Sequence, residues 1–192
     1  MRVVVTREDV AARVEALGHT AVFCELIRTE ALGDEPIDAS GYDWLIVTSP
    51  TGARELERRG FIAKRIAAIG PGTAQALRDE PDLVARVHTQ EGLRDELPPG
   101  RWLLAAAEGA RQDVLDADFL PLYRTIEFPQ EVDADVALLM SGSAARALRT
   151  QLRVIAIGPE TADEARRVGH EVVAVADPHT VGGLVEALAS LE

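Results

Sequence analysis

Cysteine is nearly absent from this chain: its 192 residues include one, Cys24. A lone thiol closes no internal disulfide and builds no thiolate metal site, so Cys24 is expected as a buried strand residue. No run approaches the 18 or so apolar residues that a membrane helix needs. The start, Met1-Arg2-Val3-Val4-Val5, reads directly as a strand and not as a basic and apolar signal sequence, so a cytoplasmic protein away from the membrane is expected. A basic excess is lacking too. Twenty Lys and Arg stand against 32 Asp and Glu, a net charge of −12, which argues against nucleic acid and anionic membranes as partners. An anionic small molecule is not excluded, because backbone N–H groups at helix N-termini hold carboxylates without any net positive charge.

Catalytic and cofactor signatures are missing as well. There is no G-x-x-x-x-G-K-[ST] loop, no G-x-G-x-x-G after the first strand, no G-x-S-x-G elbow, no H-E-x-x-H and no C-x-x-C. No nucleotide cofactor is indicated. The four histidines, His19, His88, His170 and His179, have no metal-ligand spacing, so no metal is expected. His19 and His170 follow Gly18 and Gly169 and read as helix-terminal cations that also begin a strand. His88 and His179 precede threonines at matching points of the chain, where a role in a cleft competes with a structural one. Chemistry here has to rest on positioning and hydrogen bonding.

What is present is a repeat. Arg65-Ile66-Ala67-Ala68-Ile69-Gly70-Pro71-Gly72-Thr73-Ala74 returns as Arg153-Val154-Ile155-Ala156-Ile157-Gly158-Pro159-Glu160-Thr161-Ala162. Ile46 to Arg54 echoes in Leu138 to Arg146, His88 to Leu93 in His179 to Leu184, and Ile27-Arg28-Thr29 in Tyr123-Arg124-Thr125. Order is kept while spacing drifts by loop-sized amounts, as expected of a duplicated unit about half the chain long. Pro98-Pro99-Gly100 marks the break between the copies.

Short apolar runs alternate with amphipathic stretches. Val3 to Thr6, Ala21 to Leu26, Trp44 to Thr48, Ile66 to Ile69, Leu83 to Val87, Trp102 to Ala106, Phe119 to Tyr123, Val136 to Met140, Val154 to Ile157 and Val172 to Ala176 read as strands. Helices are expected between them, including one over Arg111 to Leu115, with loops over Thr29 to Gly41 and Arg124 to Asp135. The pattern predicts an α/β fold of parallel sheets flanked by helices. In such sheets ligands sit beyond the carboxyl ends of the strands. Four strand-to-helix turns fall there, and they supply the candidate ligand-binding residues Ser49, Thr51, Gly70, Thr73, Ser141, Ser143, Gly158 and Thr161. Glycine permits close approach to the backbone, hydroxyls hydrogen-bond, and the following helix presents free N–H groups. Each such turn also reads simply as a capped turn of a stable fold.

Six stretches in order, Val4-Val5-Thr6-Arg7, Tyr42 to Pro50, Ile69 to Ala74, Leu122-Tyr123-Arg124-Thr125, Ile157 to Ala162 and Thr180 to Leu188, resemble the uroporphyrinogen-III synthase family. The resemblance covers nearly the whole chain. It implies a lyase of tetrapyrrole (haem) biosynthesis that cyclises the linear tetrapyrrole hydroxymethylbilane, with loss of water and inversion of the last pyrrole ring and with no cofactor. It implies two similar flavodoxin-like domains around an interdomain cleft. One is discontinuous (1–28 and 131–192) and the other spans 36–123, with linkers at 29–35 and 124–130, in a protein expected to be a monomer. By the same resemblance Tyr123 is the candidate catalytic residue, helping the hydroxyl leave. Thr6 and Arg7 join the turns as substrate contacts, Arg7 through an ion pair with a substrate carboxylate. Its alternative is an exposed arginine at a helix start, and that of Tyr123 is a strand-end tyrosine packing one domain on the linker. The family usually carries a proline, arginine and glycine where this chain has Ala107 and Glu108. That departure supports a second reading: a two-lobed binding or regulatory module without synthase activity.

Overall fold

The computed structural model describes residues 1–191. Along the chain its strands are β1 (Arg2–Val5), β2 (Thr20–Phe23), β3 (Ile27–Ala31), β4 (Ile37–Asp38), β5 (Trp44–Val47), β6 (Phe61–Ile62), β7 (Ile66–Ala68), β8 (Leu83–Val84), β9 (Trp102–Ala107), β10 (Asp118–Glu127), β11 (Val136–Leu139), β12 (Arg153–Ala156) and β13 (Glu171–Val175). Its helices are α1 (Glu8–Ala16), α2 (Pro50–Arg59), α3 (Pro71–Ala74), α4 (Gln90–Glu96), α5 (Gly142–Ala147), α6 (Pro159–Arg167) and α7 (Val181–Ala189). The chain forms two compact units, one from Met1–Arg28 together with the residues from Ile126 on, the other from Thr29–Thr125.

In the first unit the sheet order is β13-β12-β11-β1-β2, with every pair parallel. Its central strands are apolar at consecutive positions because both faces are covered. Val3, Val5, Val136, Leu138 and Ile155 pack under α1 and α7 with Val10, Val14, Leu184 and Leu188. The alternate residues Val4, Ala137, Leu139 and Val154 pack on the opposite face against Ala144, Ala145 and Ala165 of α5 and α6. Small side chains on those two helices bring them close to the sheet. Each fully buried Val, Leu or Ile contributes about 1.5–3 kcal/mol by leaving water.

The second unit has the order β3-β10-β9-β5-β7-β8. With the sequence repeat as guide, β9 stands for β1, β10 for β2, β5 for β11, β7 for β12 and β8 for β13, and the five strands then follow one order in both sheets. The strands at the centre are again covered twice. Leu45, Val47, Leu103 and Ala105 face Ala53 and Leu56 of α2, and Trp44, Ile46, Leu104 and Ala106 face Leu93 of α4 and Leu97 just after it.

Three stretches differ from expectation. The stretches expected as loops, Thr29 to Gly41 and Arg124 to Asp135, begin as strand: β3 runs to Ala31 and β10 to Glu127. The Leu26 carbonyl accepts from the Phe128 N–H and the Leu122 carbonyl from the Leu32 N–H, both at 2.8 Å, and partners that run in opposite directions make this pair antiparallel. No helix forms over 111–115. The Arg111 carbonyl is taken instead by the Gln90 side chain at 3.2 Å, and the Arg111 guanidinium by Glu91 at 3.0 Å, so tertiary bonds override a weak helical pattern. A small parallel pair, β4 with β6, was not foreseen; each strand is two residues long. Cys24 is buried just beyond the end of β2, where burial raises its thiol pKa and its Sγ donates to Gln130 Oε1 at 3.2 Å.

Two glycines carry a strict steric demand. A β-carbon on Gly92 would overlap the Val87 carbonyl oxygen, and one on Gly183 the Pro178 carbonyl oxygen. Thr89 and Thr180 cap α4 and α7 by accepting from those glycine N–H groups at 3.1 and 3.2 Å. Gly92→Ala is expected to destabilise the fold by about 2–4 kcal/mol in urea unfolding. Gly72→Ala, whose β-carbon meets nothing nearer than Pro50 Cγ at 4.0 Å, is expected to stay within about 1 kcal/mol of the parent.

Candidate functional site

Where a parallel strand ends and a helix begins, side chains escape both packed faces. In the first unit the neighbouring strands β1, β11 and β12 end in Thr6-Arg7, in Ser141-Gly142-Ser143 and in Gly158 to Thr161. In the second, β9, β5 and β7 end in Ala107-Glu108, in Thr48 to Thr51 and in Gly70 to Thr73. Strand order reverses between β1 and β11 and between β9 and β5, the switch points at which such sheets receive ligands.

The closest meeting of candidate residues is in the second unit. Ser49 is extended (φ −158°, ψ 152°) and caps α2: its Oγ accepts the Gly52 N–H at 2.9 Å, with Pro50 in the first turn. The same Oγ lies 2.9 Å from the Tyr123 hydroxyl. One hydrogen bond between two hydroxyls uses one O–H, and the other O–H is left to donate elsewhere. Tyr123 reaches this place through a β-bulge. Pro121 pairs with Ala106 and Tyr123 with Ala107, so Leu122 is the extra residue, and Leu122 and Tyr123 both enter one core cluster. Tyr123, within β10 and not at a strand end, is 8% exposed. Gly52 keeps the cap open, since a β-carbon there would stand 3.2 Å from Ser49 Oγ.

The other candidates occupy separate turns. Thr51 is half-buried in the first turn of α2. Gly70 and Gly158 are the N-caps of α3 and α6, with extended backbones that any residue adopts. Thr73 and Thr161, the third residues of those helices, are 3% and 6% exposed, and neither hydroxyl makes a hydrogen bond among the described residues. Ser141 caps α5 by accepting the Ala144 N–H at 3.2 Å. Ser143 accepts from Arg146 at 3.0 Å. Thr6 is half-buried, and Arg7, exposed at the N-cap of α1, binds Asp9 through Nε and Nη2 at 2.8 and 2.7 Å.

Two groups escaped sequence reasoning. Arg146 joins Glu127 at 2.8 and 2.6 Å and Glu164 at 2.9 Å, contacts between residues 18 or 19 positions apart that no local pattern announces. His170, read as a helix-terminal cation, is a buried bridge: its Nδ1 lies 3.4 Å from the Leu152 N–H and its Nε2 3.0 Å from the Ala145 carbonyl oxygen. His19 is buried at the equivalent place, after Gly18 with φ 81° as His170 follows Gly169 with φ 97°.

Arg167 and Arg146 together hold the Glu164 carboxyl down to about 2 from an ordinary 4.5. A carboxyl lowered on folding stabilises the native state above its unfolded value and loses that contribution as pH falls through its folded value. Glu164→Gln is therefore expected to flatten the fall in stability between about pH 4.5 and 2, measured by urea unfolding across that range, with the parent alone showing the full slope.

Among the described residues no cluster of three His, Cys, Asp or Glu is placed to hold a metal ion, and no helix is long and apolar enough to cross a membrane. The family model described as Uroporphyrinogen-III synthase HemD matches residues 8–186. A Methanocaldococcus jannaschii protein, provisionally assigned as a uroporphyrinogen-III synthase, is 24% identical over 100% of this chain and 99% of its own. A protein of Archaeoglobus fulgidus with the same provisional assignment is 28% identical over 88% and 85%. Crystal structures of the uroporphyrinogen III synthase of Thermus thermophilus share the fold at 19% identity. One, of a mutant, has a TM-score of 0.71 with 99% and 98% of the two chains covered; another, of the wild type, has 0.55 with 99% and 97%.

Proposed function

The chain belongs to the uroporphyrinogen-III synthase family, and on that premise we propose that it cyclises hydroxymethylbilane to uroporphyrinogen III, with loss of water, inversion of the terminal pyrrole ring and no cofactor. The family match along residues 8–186 carries this reading. The family makes the chain a lyase-type enzyme of tetrapyrrole synthesis; the substrate, the isomer formed and the residue roles are the proposal.

In the proposed reaction the hydroxymethyl C–O bond breaks and oxygen keeps the electron pair, while the adjoining pyrrole nitrogen stabilises the carbocation left behind. The O–H that the Tyr123–Ser49 pair leaves unengaged donates to the departing oxygen, which leaves as water. The α-carbon of the terminal ring that already bears the methylene bridge bonds to this carbocation, and the older bridge C–C bond then breaks to leave a new pyrrole-stabilised carbocation on the bridge. That carbon bonds to the ring's free α-carbon, so the ring is inverted and the macrocycle closed; the proton lost from that α-carbon restores the hydroxyl pair. An activated pyrrole needs little acid assistance, so most of the acceleration comes from holding the chain where the inverted closure outruns the spontaneous one. Thr6, Arg7, Ser49, Thr51, Gly70, Thr73, Ser141, Ser143, Gly158 and Thr161 are proposed as carboxylate contacts, with backbone N–H groups of the longer helices adding to them. We further propose that the two units arose by duplication and that the working protein is a monomer.

One observation favours a second reading, a binding or regulatory module without synthase activity. Glu108 is exposed beside the switch point of the second sheet, its N–H bonded to the Tyr123 carbonyl at 2.8 Å, and it sets a negative charge where the substrate brings its own.

Freshly made hydroxymethylbilane, followed by oxidation and separation of the type I and type III porphyrins, tests the reading. A type III yield above the enzyme-free control is expected; type I alone from folded protein refutes it. Tyr123→Phe is expected to lower turnover by roughly ten- to a hundredfold with the fold intact, and unchanged turnover removes Tyr123 from the mechanism. Glu108→Gln is expected to lower KM by about two- to fivefold at low salt, with less effect at high salt, because the charge it deletes repels a polyanion.

A further inference from the structure

The four histidines separate into a buried pair and an exposed pair. His19 and His170 are packed at helix ends. His88 and His179 are exposed, and among the described residues neither makes a hydrogen bond or ion pair. Their settings match from one unit to the other. His88 follows β8 and precedes Thr89, the cap of α4; His179 follows β13 and precedes Thr180, the cap of α7. Each ring lies against the glycine of the neighbouring turn: a β-carbon on Gly70 would stand 3.0 Å from His88 Cγ and 3.2 Å from its Cδ2, and one on Gly158 3.7 Å from His179 Cγ and Nδ1. Three residues beyond each glycine is a buried threonine, Thr73 or Thr161, whose hydroxyl has no partner.

An exposed imidazole held against backbone has given up rotamer freedom without gaining a hydrogen bond inside the protein. Its ring nitrogens are left for something else. At each turn an unengaged imidazole and an unengaged hydroxyl belong to one short structure, and the arrangement occurs twice, on sheets with the same strand order. The fixed charges near the rings in sequence are mixed: Asp177 precedes His179, while His88 lies between Arg86, 3.9 Å from Glu96, and Glu91, bound to Arg111. The arginines nearest His88 already face carboxylates, Arg86 that of Glu96 and Arg111 that of Glu91, whereas the imidazole N–H groups are unengaged and hold an anion without adding a permanent charge.

We propose that His88 and His179 are substrate-contacting residues, each donating an imidazole N–H to a carboxylate of the tetrapyrrole laid over the Gly70 or Gly158 turn. The proposal rests on the tetrapyrrole reading above and adds two contacts to it. It also assigns a reason for Gly70, where an alanine would crowd the His88 ring.

His88→Ala, His179→Ala, the double variant and the corresponding Gln variants are compared with the parent in two assays on the full chain: kcat and KM for type III formation, and the Kd of uroporphyrin III by fluorescence titration. Each Ala variant is expected to raise KM and Kd by about three- to tenfold, as the loss of a hydrogen bond to a charged group does, with kcat within about twofold and the melting temperature unchanged. The double variant multiplies the two effects, and Gln, which keeps an N–H donor, recovers most of each. Parent-like KM and Kd in the folded double variant overturn the proposal while leaving the synthase reading in place, and so does a parent that makes type III porphyrin yet whose Kd is indifferent to the histidines. Type I product alone, from a parent whose uroporphyrin affinity still falls on His→Ala, overturns the synthase reading and upholds the histidine contacts.

Discussion

Burial of both faces of each parallel sheet is the constraint from which the rest of the structure follows. With Val3 to Val5, Leu45 to Val47, Leu103 to Ala106, Val136 to Leu139 and Val154 to Ala156 all buried, the central strands have no position free for a polar side chain. A hydroxyl in such a strand has to find a partner or cost about 1–3 kcal/mol. Polar chemistry is thereby driven to the strand ends, where one residue leaves the sheet and the next opens a helix. The candidate residues crowd into a few turns because nowhere else in this architecture accommodates them.

The strand-end hydroxyls do two kinds of work, and the two are separable. Ser49, Thr89, Ser141 and Thr180 each accept the N–H three residues on and so fix where their helices begin. An oxygen that accepts a backbone N–H still has a proton to donate, and at Ser49 that proton belongs to a shared arrangement with Tyr123. Gly70 and Gly158 begin helices with no side-chain cap, and there the threonine two places into the helix has an idle hydroxyl. Capped turns have their helix starts fixed by a side-chain hydrogen bond, and uncapped ones carry free donors. A site made of both has fixed geometry and unspent hydrogen-bonding capacity, which is what positioning a flexible polycarboxylate demands.

The order of strands and turns was legible because each rests on local chemistry: apolar runs of four or five residues, Ser or Thr three residues before a tightly packed glycine or alanine, and Pro in the first turn. The sequence repeat further paired strands that the two sheets place at corresponding positions. What escaped is non-local. Tyr123 meets Ser49 across 74 residues, and does so only because Leu122 is an extra residue in its strand pairing. The antiparallel partnership of β3 and β10 was hidden in stretches whose polar composition looks like loop, and residues 111–115 look helical until Gln90 claims a carbonyl 21 positions away. The burial of His170 was hidden for the same reason: the glycine before it marks a helix end, but its contacts with Leu152 and Ala145 lie 18 and 25 positions away.

Charge is the feature hardest to square with a polyanionic substrate. A protein at −12 repels anions at long range, and its arginines are largely spoken for: Arg7 by Asp9, Arg58 by Asp34 and Glu55, Arg111 by Glu91, Arg146 by Glu127 and Glu164. Screening reduces the first difficulty, since at physiological salt fields from charges beyond about 8 Å largely vanish. The second is smaller than it looks. Exposed pairs such as Arg7 with Asp9 contribute only about 0–1 kcal/mol, so an incoming carboxylate that also takes backbone N–H groups exchanges partners at little cost. Arg146, bound to two carboxylates and a serine, exchanges far less readily and serves the first unit as a structural tie. Under the proposed function, affinity for a polyanion thus falls to neutral donors, the helix-start N–H groups, the idle threonines and the exposed imidazoles, whose strength depends on geometry and not on net charge.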